Sequence, residues 1–353
     1  MEENNPSSGR SALKAVFKVL GRVIGIALGI AAIIGTADYF GWSPLKNNDL
    51  GVPLYITISL TVWLAVELVL YSKKSIVVID SSKTLPDVLI QELLRLKANG
   101  KYETIIRHRE NLSRSLWIEG KLNHRVQLGK IAEEAAVRLE NKLAQAEILI
   151  DDLGWSLVAL KQYDEGKEFI EHGLQLAEKL NEKYLIAKSH RHLAGIYVEA
   201  HDYDTAEAEL KKAITIANEM SDGRQKIEMI AGIEYGIAVA ALYRKDPKTA
   251  INHLGKSKEL SQSIGDRSRL AKVYSMKGTA AEELGNLPLA KDSYIMGHEL
   301  ANRVGRRDEM IRNLLGLARV FENEGDKETA EKYRQQAEEM KLSTPIALDV
   351  GDR

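Results

Sequence analysis

Six times between residues 106 and 341 the chain repeats one pattern of small side chains, and this pattern limits the possible folds more than any other feature. A first small position recurs at Ser113, Gly154, Ala194, Ala238, Gly278 and Ala318. Twelve residues after each, a second helical segment begins at Arg125, Gly166, Ala206, Ala250, Ala290 and Ala330. Seven residues further on stand Ala132, Gly173, Ala213, Ser257, Gly297 and Ala337. Successive members of the second series lie 41, 40, 44, 40 and 40 residues apart. A fixed period of this size marks stacked repeats, each of which buries its apolar face against its neighbours.

Small side chains are needed where helix backbones approach closely. Between the first and second series lie turn sequences: Gly120-Lys121-Leu122, Lys161-Gln162-Tyr163, His201-Asp202-Tyr203, Lys245-Asp246-Pro247, Gly285-Asn286-Leu287-Pro288 and Gly325-Asp326-Lys327. Pro247 and Pro288 fall where the first turn of a helix tolerates a missing N–H. Each repeat is therefore expected to be helix, tight turn, helix. The Ala206 to Ala250 interval carries four extra residues near Ser221-Asp222-Gly223-Arg224, about one helical turn, which lengthens a helix pair without changing its phase.

Segments such as Leu193-Ala194-Gly195-Ile196-Tyr197, Asp202-Tyr203-Asp204-Thr205-Ala206 and Ala213 resemble the tetratricopeptide repeat, with its small residues at the eighth, twentieth and twenty-seventh positions. The repeats here run nearer forty residues than the family's thirty-four, and Arg125 stands where alanine is usual. The expected fold is all-α, a helical-hairpin solenoid of six repeats over 106–341. A capping helix at 87–105 precedes it and a flexible tail at 342–353 follows.

The first eighty residues have a different character. Residues 1–11 are polar and read as a disordered start. Two apolar runs, about 15–37 and 52–71, are each long enough to cross a bilayer of roughly 30 Å and together read as a transmembrane hairpin over 12–71. A linker, 72–86, joins it to the repeats. Arg10 and Lys14 before the first run and Lys18 and Arg22 at its start, with Lys73, Lys74 and Lys83 after the second, predict a multi-pass integral membrane protein with both termini and the repeats on the cytoplasmic side. Gly21, Gly25 and Gly29 form a ridge for helix packing in the membrane, against the second span or in a homo-oligomer.

The balance of 49 basic and 50 acidic side chains gives a net charge of −1, so nothing in the bulk charge favours nucleic acid, and the absence of cysteine excludes disulfides and thiol chemistry. No phosphate-binding loop, metal set or catalytic arrangement stands out, so neither enzyme nor cofactor is expected. His190 and His192 are two apart and face different ways on a helix, so they read as satisfied or exposed histidines rather than ligands, and Asp151-Asp152 reads as a solvated pair.

The resemblance implies a ligand groove lined by the second, fifth and ninth positions of each first helix. In this chain these include Arg107, Arg114, Trp155, Lys188, Arg191, Tyr235, Lys272, Arg312 and Arg319, with Glu110 and Asp151 as acidic exceptions; Trp117 from a neighbouring turn adds an aromatic anchor. The chaperone-tail receptors of the family carry asparagine at the ninth position, where this chain has Arg114, Trp155, Gly195, Val239, Thr279 and Arg319, so that ligand is disfavoured. A basic groove with aromatic anchors suits an acidic peptide. The expected function is a membrane-anchored scaffold or adaptor that binds a protein or peptide ligand. The alternative is a sensor whose transmembrane hairpin oligomerises to permeabilise the bilayer.

Overall fold

All six expected turns are made the same way. One residue in each adopts a left-handed backbone: Gly120, Lys161, His201, Lys245, Gly285 and Gly325, with φ between 60° and 87°. The next residue's N–H then reaches back to close the preceding helix, as in Gln162 N to Leu157 O, Asp202 N to Tyr197 O and Asn286 N to Ala281 O, each 2.9 Å. In four turns the following Asp or Asn caps the second helix, with Asp202, Asp246, Asn286 and Asp326 each accepting from the N–H three residues on. Stop and start signals thus sit within three residues, which is what makes the reversals tight.

The computed structural model describes residues 85–342, and every regular element among them is helical. Helix α1 (Leu85–Ala98) is followed by six hairpins. The first pairs α2 (Tyr102–Ile118) with α3 (Leu122–Arg138). In the second, α4 (Lys142–Glu147), a π-helical segment (Ile148–Trp155) and α5 (Ser156–Ala159) run on as a compound first helix, paired with α6 (Tyr163–Leu180). The others are α7 (Lys183–Glu199) with α8 (Tyr203–Asn218), α9 (Arg224–Tyr243) with α10 (Pro247–Ser263), α11 (Arg267–Glu283) with α12 (Leu287–Val304), and α13 (Arg307–Asn323) with α14 (Lys327–Leu342). The array therefore opens at Tyr102, a little before the expected 106, and the segment expected as a cap divides between α1 and α2. The insertion after Ala206 goes into a loop at 219–223 and into α9, which has 20 residues where α7 and α11 have 17.

All eighteen recurring positions are buried. The second helix of each hairpin packs on the first helix of the next, and α7, α9, α11 and α13 also touch in succession, whereas the second helices make no comparable contact with one another. Closer spacing of the first helices curves the stack and places them on its inner side.

The chain divides into two units, Met1–Asp80 and Ser81–Arg353, and the first lies outside the described residues. The expectations for 1–11, for the spans 15–37 and 52–71, for Gly21, Gly25 and Gly29, for the linker as far as residue 84, and for the tail beyond Leu342 all fall there. The expected multi-pass membrane localisation is corrected: among the described residues no helix is long and apolar enough to cross a membrane. Bilayer insertion and the membrane-permeabilising alternative are not carried forward.

Candidate binding face on the first helices

Three of the cations expected along the inner face are already neutralised, Lys188, Arg312 and Arg319. Lys188 Nζ lies 2.6 Å from Asp151 Oδ2 and 5.0 Å from the Tyr184 ring centroid. Arg312 donates to both carboxylate oxygens of Glu309, at 2.9 and 3.0 Å. Arg319 donates to Glu282 at 3.0 and 3.1 Å and to the Tyr294 hydroxyl at 3.1 Å. Arg107 and Arg114 are exposed on α2. Trp117, partly buried, carries the Arg125 guanidinium 5.1 Å from its ring centroid, so it supports the first hairpin.

Asp151 and Asp152 are not a solvated pair. Burial opposes ionisation of Asp151, but Lys188 and the hydrogen bond from His192 overcome it and hold its carboxyl well below the usual range. Asp152 is fully buried, bonded to Arg109 and Ser113 and 3.1 Å from Arg125 Nη2. Arg125 also donates to Asp151 O at 2.8 Å and Ser156 Oγ at 2.9 Å. An arginine thus stands where the other hairpins have a small residue, because the first two hairpins are joined by a buried ion network. His190 is a satisfied side chain, its Nδ1 2.6 Å from Glu209 Oε2, whereas His192 stacks on Trp155 with ring centroids 4.2 Å apart, reaches Asp151 through Nε2 and leaves its buried Nδ1 without a hydrogen-bond partner. Burial, then the nearby Arg191 charge, pull the His192 imidazole down to about 3, so it is neutral at ordinary pH. Among the described residues no group of three His, Cys, Asp or Glu side chains could hold a metal ion.

Along the inner face from α7 to α13, two of the expected cations have no ion pair, Arg191 of α7 and Lys272 of α11. Both are partly open to solvent but walled by protein. Burial, then the neighbouring Arg269, pull Arg191 down to about 10. Burial, then Arg306, pull Lys272 down to about 7. Between them on α9 lies Tyr235, whose hydroxyl is pushed up by burial and by Glu309. Arg269 and Arg306 were not among the expected groove residues. Each stands at the start of a first helix, before the positions the repeat pattern marks, and their only sequence signal was a spacing of three from Lys272 and from Glu309.

Solved structures share this fold. A Rap protein complexed with competence and sporulation factor matches with a TM-score of 0.55 at 14% identity, over 96% of this chain and 98% of that one. The apo form of RapI matches with a TM-score of 0.53 at 15% identity, over 84% and 93%. Aspartyl phosphate phosphatase F from Bacillus subtilis is more distant, with a TM-score of 0.48 at 12% identity over 97% and 96%. No protein-family model and no curated protein matches the sequence. At these identities the likeness is one of fold: the chain is a TPR-like helical solenoid of the kind seen in the Rap structures.

Proposed function

We propose that the chain is a protein-interaction adaptor whose inner face, formed by α7, α9, α11 and α13, binds an acidic segment of a protein or peptide partner. The observation that carries this reading is the selective lack of counter-charges. Lys188, Arg312 and Arg319 each have a carboxylate within 3.0 Å, while Arg191 and Lys272, on the same face, have none. Unpaired cations walled by protein cost free energy, and an incoming carboxylate offsets that cost while gaining charge-assisted hydrogen bonds. The Rap neighbour complexed with competence and sporulation factor supports the use of such a fold for capture. The reading assigns recognition, with no bond-making step.

Affinity purification of the full chain from its native cells, with bound polypeptides identified by mass, tests it. The wild type should enrich partners carrying acidic segments, and the double variant Arg191→Glu/Lys272→Glu should lose them, by about tenfold or more given one or two lost charged hydrogen bonds. A double variant that recovers the same partners in the same amounts would show that binding lies elsewhere.

A further inference from the structure

Two guanidinium groups converge on one glycine. A Cβ built on Gly232 of α9 would lie 2.9 Å from Arg269 Nη1 and 3.4 Å from both Cδ and Nε of Arg191, so side chains from α7 and α11 are both drawn over the same point of α9. Arg269 reaches only Asp266, at 3.3 Å, and its Nε is buried without a hydrogen bond. The nearby carboxylates are mostly committed elsewhere. Asp151 serves Lys188 and His192, Asp308 serves Arg306, Glu309 serves Arg312, and Asp266 caps α11. Tyr184, Asp151 and Glu228 of α9 each attract Arg191, without forming an ion pair with it. One helical turn beyond Arg269, Lys272 feels Arg306, Glu309 and Asp308 from the next hairpin and Arg269 from its own helix.

The geometry points to a two-point acid receptor: one ligand carboxylate held between Arg191 and Arg269 above Gly232, and an adjacent ligand carboxylate on Lys272. This deepens the adaptor reading and rests on it. A peptide carrying two neighbouring acidic groups fits, either two acidic side chains or one acidic side chain beside a terminal carboxylate. The absence of a side chain at Gly232 lets the two arginines close over α9 side by side, and the fork of each arginine suits paired hydrogen bonds to a carboxylate.

Binding at Lys272 must also move a proton. In the free protein the amine is half-neutral near pH 7, and a ligand carboxylate favours its charged form, so the complex takes up a proton above that pH. The probes are three N-acetylated octapeptides: one with a central Glu-Glu and an amidated end, the same peptide with Gln-Gln, and one with a single acidic side chain next to a free C-terminal carboxylate. Inorganic phosphate is the fourth. Calorimetric titration into the full chain should show binding of the first or third peptide but not of the Gln-Gln peptide. Arg191→Met and Lys272→Met should each weaken it about tenfold. Affinity in the wild type should fall about tenfold between pH 6 and pH 9 and stay nearly flat in Lys272→Met. Both variants should melt no lower than the wild type, because each removes an unpaired cation, which separates a lost contact from a lost fold. The two acidic peptides tell side-chain from terminal carboxylates.

Equal binding of an acidic peptide by wild type and both variants overturns this receptor while leaving the adaptor reading intact. Phosphate that binds more tightly than either acidic peptide overturns the carboxylate assignment. Acidic peptides that fail to bind while native partners are still lost from the double variant overturn the receptor alone.

Discussion

Replacing Asp152 with alanine should destabilise the first two hairpins by about 3–5 kcal/mol, the usual cost of removing one partner of a buried ion pair. The carboxylate is 0% exposed, and the two guanidinium groups it serves, Arg109 and Arg125, are each 7% exposed. Arg109 would keep only Glu147, at 3.1 Å, and Arg125 would keep neutral acceptors, Asp151 O, Ser113 Oγ and Ser156 Oγ. The compensating variant follows from the repeat pattern. Arg125→Ala restores the small residue that the other five hairpins carry, so Asp152→Ala/Arg125→Ala should be more stable than Asp152→Ala alone. Repeat arrays open locally, so the loss should appear in hydrogen exchange over α2 and α3 before it appears in α11 to α14. A denaturant midpoint unchanged by Asp152→Ala, with no local opening, would contradict the assigned role of this network.

The hairpins were legible in the sequence, while the state of the charges was not, and the two differ for a physical reason. Helix position and turn position depend on residues within one repeat: small side chains at fixed phase, a left-handed residue such as Gly285, a cap such as Asn286. Arg312 finds Glu309 on its own helix, but neutralisation of the other paired groove cations depends on residues about one repeat away. Lys188 finds Asp151 37 residues back, Arg319 finds Glu282 37 back, and Arg109 finds Asp152 43 ahead. A roll of basic residues at groove positions therefore reads as a uniformly basic surface, when along α7 to α13 Lys188, Arg312 and Arg319 are paired and Arg191 and Lys272 are not. The same limit explains the misreading of Asp151-Asp152, because adjacent acidic residues look solvated until the helices that bury them are in place. Arg269 escaped notice because it precedes the phase at which the pattern begins. The π-helical segment at Ile148–Trp155 has no signal in the spacing of small residues at all.

Gly278→Ala should destabilise the fifth and sixth hairpins although alanine is the better helix former. Propensity alone favours alanine by about 0.8–1 kcal/mol, so the sign rests on packing. A Cβ at Gly278 would lie 2.5 Å from Tyr294 Cε1 and 2.6 Å from Cδ1. The ring cannot retreat, because a Cβ at Gly316 of α13 would meet the same ring at 2.5 Å, so Tyr294 is clamped between α11 and α13 by two missing side chains. Its hydroxyl is tied as well, 2.7 Å from Glu282 and 3.1 Å from Arg319. Overpacking of a fully buried site costs about 1–3 kcal/mol and more where the neighbours are held from both sides. The net expected loss is therefore up to about 2 kcal/mol after the propensity gain, and Gly316→Ala should behave alike. Tyr294→Leu opens the clamp, so the double variant Gly278→Ala/Tyr294→Leu should lose less than the sum of the single losses in chemical denaturation of the full chain. Strict additivity, or a Gly278→Ala protein as stable as the wild type, would mean that the recurring small residue at this position reflects helix phase alone and not the close approach of α11 to the aromatic ring.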